Sequence, residues 1–365
     1  MAQPLLKATD RGVYCPAGKF YIDPWAPVEH AVITHAHTDH ARWGCQNYLA
    51  TPTGALVLEA RFGASFRGRT QALPYGEDLD IHGVHVSLHP AGHVLGSAMV
   101  RVEHKGEVWV ASGDYKTQPD GISEPWEPVK CHTFITESTF GLPIFRWRPA
   151  HELNDDLNTW WRTNADAGRT SAVFGYSLGK AQRLIAAADP SIGPIFIHGA
   201  MTKTTEAYRA AGITLPPTAH ADRDAVRAAA GRALVIAPPI TLGSPWLRKF
   251  GDISTAFASG WMQVRGTRRR RNVDRGFVLS DHADWPGLLH AIKESGATSI
   301  GVTHGSVGTL VRYLCETGLN AWALPTRYVG EAADEDATES EASLTTEQPS
   351  PALLNGDAAA EKGGP

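Results

Sequence analysis

The sequence is poor in sulfur and shows no sulfur pattern. Cys15, Cys45, Cys131 and Cys315 lie far apart, with no close pair. That spacing excludes a disulfide framework and a zinc ribbon, and free thiols in a reducing cytoplasm are the simpler expectation. No apolar run is long enough to cross a bilayer, so no membrane partner is expected. Met1–Lys7 carries no long apolar segment of the signal-peptide type. No internal repeat is visible. A strong charge of one sign is also missing, since the formal net charge is only −4. That small value hides two unlike parts. Residues 331–365 hold nine acidic side chains against one lysine, a net −8, and no aromatic residue. This stretch is expected to be a disordered acidic tail. The remaining 33 basic and 29 acidic residues leave a mildly basic body, compatible with an anionic partner.

Hydrophobic residues make up 42% and charged residues 20% of the 365, the balance of a soluble globular chain with room for two domains. Up to about residue 140 the texture is one of short strands and turns: Lys19–Asp23, His85–Leu88, Ala98–Val102, Val108–Ser112 and Thr133–Thr136. A helical pattern runs from Gly54 to Phe66. After Pro149 strands alternate with helices, as in Ser171–Phe174 followed by a helix over Ala181–Ala188, and Pro194–Ile197 followed by one over Thr204–Ala211. Ala233–Ile236 and Thr255–Ala258 continue the series. Such alternation points to a parallel sheet covered on both faces. From Gly276–Leu279 and Ser299–Val302 the first texture returns. The pattern is a first domain, an inserted α/β domain, and a return to the first.

The densest chemistry lies in Ala31-Val32-Ile33-Thr34-His35-Ala36-His37-Thr38-Asp39-His40. Ala31–Thr34 reads as a buried strand, and His35 and His37 are spaced to project to one side where it ends. Asp39 and His40 follow in the turn and can face a second metal. Imidazole and carboxylate at this density suit a divalent ion such as zinc or manganese. Further ligands must come from elsewhere. His93 lies in a glycine-flanked loop, Asp114 ends one strand and His304 ends another. Each is weak alone, but each follows an apolar strand, so all can gather at one sheet edge.

With these residues in place, the chain resembles the metallo-β-lactamase-fold nucleases of the β-CASP group, which includes RNase J, the cleavage and polyadenylation endonuclease, Artemis-like DNA nucleases and a bacterial ligase-associated DNA exonuclease. Asp23 matches the first family motif, His35 to His40 the second, His93 the third and Asp114 the fourth. Glu137 in Thr136-Glu137-Ser138-Thr139, His282 in Ser280-Asp281-His282-Ala283-Asp284, and His304 match the later motifs. The resemblance spans about residues 10–330, and it is most like the ligase-associated exonucleases.

The resemblance implies a metallo-β-lactamase αββα sandwich with an inserted β-CASP α/β domain. It divides the chain into 1–145, an inserted 146–272, a return segment 273–330 and the tail 331–365. It implies two metal ions, Zn2+ or Mn2+, one held by His35, His37 and His93, the other by Asp39, His40 and His304, with Asp114 bridging and Asp23 orienting a ligand histidine. The two ions share and activate a water to hydroxide. His282 is then the general acid and Glu137 its partner. The implied activity is hydrolysis of DNA phosphodiesters, an exonuclease in cytoplasmic DNA repair with a DNA ligase and a helicase as partners. The alternative is an RNA-processing nuclease, of the RNase J or mRNA 3′-end type. His304 keeps it open, because Artemis-like DNA nucleases carry valine there. A small-molecule metallohydrolase shares the His35–His40 motif but lacks so large an insertion.

Substrate phosphates are expected at Ser138, Thr139, Ser177, Lys180, Ser259 and Arg271. Ser177, Gly179 and Lys180 lie between a strand and a helix, where backbone N–H groups favour phosphate. Arg265 and Arg268–Arg271 form the densest basic cluster. Among the 11 tryptophans, Trp261 and Trp285 are the best-placed stacking platforms. Ser280-Asp281 reads as the start of a helix.

Overall fold

A computed structural model describes residues 4–327, without the side chain of Arg268. The acidic stretch 331–365 lies outside the described residues. Three sheets carry the fold, and their order follows from which face each strand buries. The first, in spatial order Lys7–Ala8, Val13–Cys15, Phe20–Ile22, His30–Val32, Asn47–Ala50 and Thr70–Ala72, opens antiparallel and becomes parallel from Phe20–Ile22 onward. The second runs Asn320–Ala323, Ser299–Gly305, Thr133–Ser138, Glu107–Ala111, Ala98–His104, Val84–Pro90 and Asp78–Ile81. Its neighbours Thr133–Ser138 and Ser299–Gly305 are parallel and far apart in sequence.

The two sheets share one apolar core. Phe20, Ile22, Val32 and Leu49 of the first meet Val86, Leu88, Val100 and Ile135 of the second. Alternation does this: each strand turns successive side chains to opposite faces. The outer face of the second sheet is covered by the helices Trp285–Ser295 and Val307–Glu316, through Leu288, Ile292, Leu310 and Leu314 against Phe134 and Ile300. The outer face of the first is covered by the helix Pro52–Phe62, through Val57 and Leu58. Thr51 caps that helix by accepting from the Gly54 N–H, and Pro52 starts it. Helix, sheet, sheet, helix is the resulting layer order.

The third sheet is wholly parallel, in the order Thr218–His220, Ile195–Ile197, Leu234–Ala237, Thr170–Phe174, Ile253–Ala258, Arg275–Phe277. All five residues of Thr170–Phe174 and all four of Leu234–Ala237 are buried. Continuous burial is what a strand covered on both faces requires. The helices Ala150–Asp166, Lys180–Ala187 and Thr202–Ala210 cover one face. In sequence this sheet falls between the neighbouring strands Thr133–Ser138 and Ser299–Gly305.

Two expectations need correction here. The strand expected at Gly276–Leu279 does not open the return to the first region. Arg275–Phe277 pairs in parallel with Ile253–Ala258 at the edge of the third sheet, pinned beside Asp274, whose carboxylate accepts from the Thr255 N–H. Nor does Ser280-Asp281 start a helix. The helix begins at Trp285, and its cap is Asp284, which accepts from the Gly287 N–H. Ser280–Asp284 remains irregular, which frees it to present side chains to two different sites. Among the described residues no helix is long and apolar enough to cross a membrane.

Candidate metal centre

The centre lies where strands of the first two sheets end side by side. His30–Val32 delivers the loop His35–His40. Val84–Pro90 and Ala98–His104 hold the hairpin that carries His93, Glu107–Ala111 leads to Asp114, and Ser299–Gly305 ends on His304. Tight backbone makes this possible. Gly113 has φ +55 and packs on the Thr34 side chain, and Gly92 has φ +72 beside the Lys116 carbonyl; a Cβ at either position would clash. Asp23 and His304 also sit at positive φ, 44° and 53°. Non-glycine residues in this region are uncommon and collect at functional sites.

The side chains converge. His35 Nε2 and His93 Nε2 stand 3.1 and 3.0 Å from His37 Nδ1. Asp114 Oδ2 is 3.5 Å from His35 Nε2 and 3.3 Å from His40 Nε2, while Asp114 Oδ1 is 3.7 Å from His304 Nδ1. Asp39 Oδ2 lies 3.4 Å from His40 Nε2. Two overlapping groups result, His35, His37, His93 and Asp114 on one side and His40, Asp114 and His304 on the other; His35, Asp39 and His40 form a third set within ligand range.

The opposite ring nitrogens are already committed. His40 Nδ1 donates to Asp23 Oδ2 at 2.7 Å. His93 Nδ1 donates to the Asp281 carbonyl at 2.8 Å, and His37 Nε2 faces the Leu178 carbonyl at 3.3 Å. Thr34 Oγ1 donates to Asp23 and meets His35 Nδ1 at 3.0 Å. The inward nitrogens of His35, His37 and His93 are therefore left with lone pairs, and these face each other. Burial first, then neighbouring imidazoles, hold His35 and His93 well below the ordinary histidine range, and burial lowers His37 as well. Neutral imidazoles are the metal-binding form. His40 differs. Burial opposes its charge, but Asp114, Asp39 and Asp23 outweigh burial and raise it well above the ordinary range. His40 Nε2 and Asp114 Oδ1 are buried with no hydrogen-bond partner. Inward lone pairs, orphaned buried atoms and outward anchors fit divalent cations.

Beside this centre stand Glu137 and His282. His282 Nδ1 is 3.0 Å from both Glu137 carboxylate oxygens, and its ring lies 4.7 Å from that of His93. Glu137 is fixed by the Tyr115 N–H at 3.0 Å.

The expected phosphate contacts fare less well. Lys180 is 1% exposed and turned inward, its Nζ 3.3 Å from Asp281 Oδ2. Ser138 is buried and donates to the His304 carbonyl, Thr139 is buried, and Ser259 is buried with its Oγ accepting from the Trp261 N–H. All four side chains are buried in this structure. Ser177 and Arg271 remain half-buried, with the Arg271 guanidinium 4.6 Å from the centre of the Phe257 ring. Trp285 is 6% exposed and packed in the core, so it is no stacking platform; Trp261 lies against Phe140 and Phe145.

Several supports went unread in the sequence. Thr34 links Asp23 to His35. Arg61 Nη1 reaches the carbonyls of Ala36, His37 and Ala41 and so shapes the ligand loop. Arg183 Nη1 donates to Asp281 Oδ1 at 3.1 Å and also to the Ser280 carbonyl. Thr34 next to His35 offered a local signal; the arginines, far off in sequence, offered none.

Two facing sheets between helices, with a histidine–aspartate cluster at their joined edge, are the architecture of the metallo-β-lactamase fold. Comparison narrows this. No family model matches the chain. Over 317 residues it is 33% identical to a "Probable DNA ligase" of Opitutus terrae, covering 86% of this chain and 30% of that protein. It is 29% identical over 160 residues to "Endoribonuclease YSH1" of Yarrowia lipolytica, covering 42% of this chain and 19% of the relative. It is 29% identical over 159 residues to "Cleavage and polyadenylation specificity factor 73" of Drosophila melanogaster, covering 42% and 23%. The chain thus spans less than a third of each relative's length. A solved structure described as a protein of unknown function from Enterococcus faecalis shares the fold, with a TM-score of 0.55 at 12% identity, over 83% of this chain and 80% of that one. The chain's homologues thus include β-CASP nucleases of the metallo-β-lactamase fold.

Proposed function

We propose that this protein is a two-metal nuclease that hydrolyses phosphodiester bonds of DNA, an exonuclease working beside a DNA ligase and a helicase in cytoplasmic repair. The observation that carries the nuclease reading is the Glu137–His282 pair standing against the seven-residue centre. A centre of this kind needs a proton donor for the leaving oxygen, and a paired, buried imidazole beside the ligands supplies one. His35, His37 and His93 are assigned to one ion, Asp39, His40 and His304 to the other, and Asp114 to both. When bound, zinc or manganese ions would supply Lewis acidity to a phosphodiester and to an attacking water. The protein does the rest. Asp23 and the carbonyls of Leu178 and Asp281 fix the ligand rings. Glu137 holds His282 by Nδ1, so the proton it delivers is the one on Nε2.

The third sheet and its helices, about residues 146–277, are assigned as the β-CASP insertion closing over the centre, with 1–145 and 278–330 as the metallo-β-lactamase part. Ser177 and Arg271 are assigned to substrate phosphates, with exposed Arg265, Arg269 and Arg270 as further cations.

The preference for DNA rests on the ligase-named relative, which carries a stretch like this chain within a protein nearly three times as long. A second reading, RNA processing, is favoured by the endoribonuclease-named relatives and by His304. End-labelled single-stranded DNA, duplex DNA and RNA of one sequence, offered under several metals, decide between them. DNA cut fastest supports the first reading; RNA cut much faster refutes it.

A further inference from the structure

Ser280–Asp284 has two sides. One presents His282 to the metal centre. The other walls a separate cavity of about 310 Å³, lined by Lys116, Trp147, Arg148, Leu153, Arg183 and Ser280 among others. It opens between the segment Lys116–Pro119 and the start of the helix Ala150–Asp166.

Two of its cations are buried with donors unspent. Lys116 is 4% exposed and its Nζ makes no hydrogen bond or ion pair with any described residue; burial, then the neighbouring Arg183, lowers its amine to about 7. A buried amine left without a hydrogen-bond partner is costly. Arg183 is 8% exposed. Its Nη1 serves the Ser280 carbonyl and Asp281, and its Nε stays 3.8 Å from Asp120, beyond hydrogen-bond reach. Arg183 Nη2 donates to no described residue, and Arg148 stands at the rim. The nearby carboxylates Asp120, Asp281 and Asp284 favour a charge on Lys116 but make no hydrogen bond or ion pair with it, and Asp120 Oδ2 is itself buried without a hydrogen-bond partner. Asp284 is spent on the Trp147 and Gly287 N–H groups, and Asp120 Oδ1 on Ile122 and Ser123. The remaining lining includes the apolar Trp147, Leu153 and Val278.

We propose that this cavity is a second binding site, distinct from the metal centre, for a phosphate monoester carried on a flat ring: a nucleoside monophosphate or the phosphorylated end of a strand. Lys116 and Arg183 take the phosphate as charge-assisted partners, the guanidinium through its unused Nη2 edge. Trp147 and Leu153 take the ring. The site also reaches the reacting region. Trp147 Nε1 donates to the His282 carbonyl at 2.8 Å, and Arg183 holds the residue two positions before it, so occupancy bears on the backbone that positions His282. The binding claim does not depend on the nuclease reading.

Calorimetry on the full chain tests it, with inorganic phosphate, dAMP, deoxyadenosine and a 5′-phosphorylated dinucleotide as titrants. Two variants alter the cavity: Lys116→Met removes the ammonium, and Ala150→Trp fills the mouth from an exposed position without removing a buried group. Asp39→Asn alters the metal centre instead. The expected result is dAMP binding that weakens at least tenfold in Lys116→Met and in Ala150→Trp and is unchanged in Asp39→Asn. Should Lys116→Met fail to fold, Ala150→Trp decides alone. Binding of the dinucleotide but not of dAMP identifies a strand end as the source. No binding of any titrant, equal binding of deoxyadenosine and dAMP, or loss only in Asp39→Asn overturns the proposal.

Discussion

Glu137 and His282 are separated by 145 positions in sequence and by 3.0 Å between carboxylate and Nδ1. The pairing brings a strand end of the second sheet to the segment that follows the third sheet. If His282 protonates the leaving oxygen, His282→Ala should slow single-turnover cleavage by about 10²–10⁴-fold. Metal content should stay at the wild-type value. Glu137→Gln should slow cleavage and shift its pH profile, because the amide no longer favours the imidazolium. An unchanged single-turnover rate in His282→Ala removes the acid role.

Asp23 is not within ligand range, yet it holds His40 at 2.7 Å and Thr34 by both backbone and hydroxyl. Asp23→Asn should cost roughly 10–100-fold in affinity for the ion assigned to His40, as loss of an outer partner of a ligand histidine commonly does. Chelator competition measures this. Wild-type affinity in the variant would reduce Asp23 to a turn residue.

Asp281 is fully buried between Lys180 and Arg183, and despite burial these two cations hold its carboxyl below the usual range. Asp281→Ala leaves both cations buried without it. Stability should fall by about 3–5 kcal/mol in denaturant unfolding. The His93 anchor is the Asp281 backbone carbonyl, so surviving folded protein should keep its metals. A stability loss under about 1 kcal/mol would show that the pairs contribute little.

Residues 331–365 carry a net −8. Deleting them should tighten DNA binding and leave the cleavage rate at saturating DNA unchanged, since like charge near a polyanion lowers association. Fluorescence anisotropy at two salt concentrations reads the effect, which should shrink at high salt. Weaker binding after deletion contradicts it.

Much of the centre was legible because metal ligation forces a local pattern. His35, His37, Asp39 and His40 share one loop, and His93, Asp114 and His304 each close an apolar strand. Strand positions followed from alternation and runs of apolar residues. What stayed hidden was the direction of charged side chains. In Tyr176-Ser177-Leu178-Gly179-Lys180 the lysine reads as a phosphate ligand, and only its packing against Asp281 shows that it points inward. Lys116 and Arg183 were unremarkable in sequence, because burial of a cation is decided by contacts with distant segments. The edge pairing of Arg275–Phe277 was equally hidden, since three residues of strand texture fit either sheet.

The most direct measurement is single-turnover cleavage of end-labelled polynucleotide by the purified chain, run with metal analysis on the same sample and beside Asp39→Ala. Two divalent ions per wild-type chain, with DNA cut by wild type and not by the variant, are the expected result. Nitrocefin or a glutathione thioester turned over while every polynucleotide stays intact would contradict the account, and so would DNA cleavage that survives the loss of Asp39.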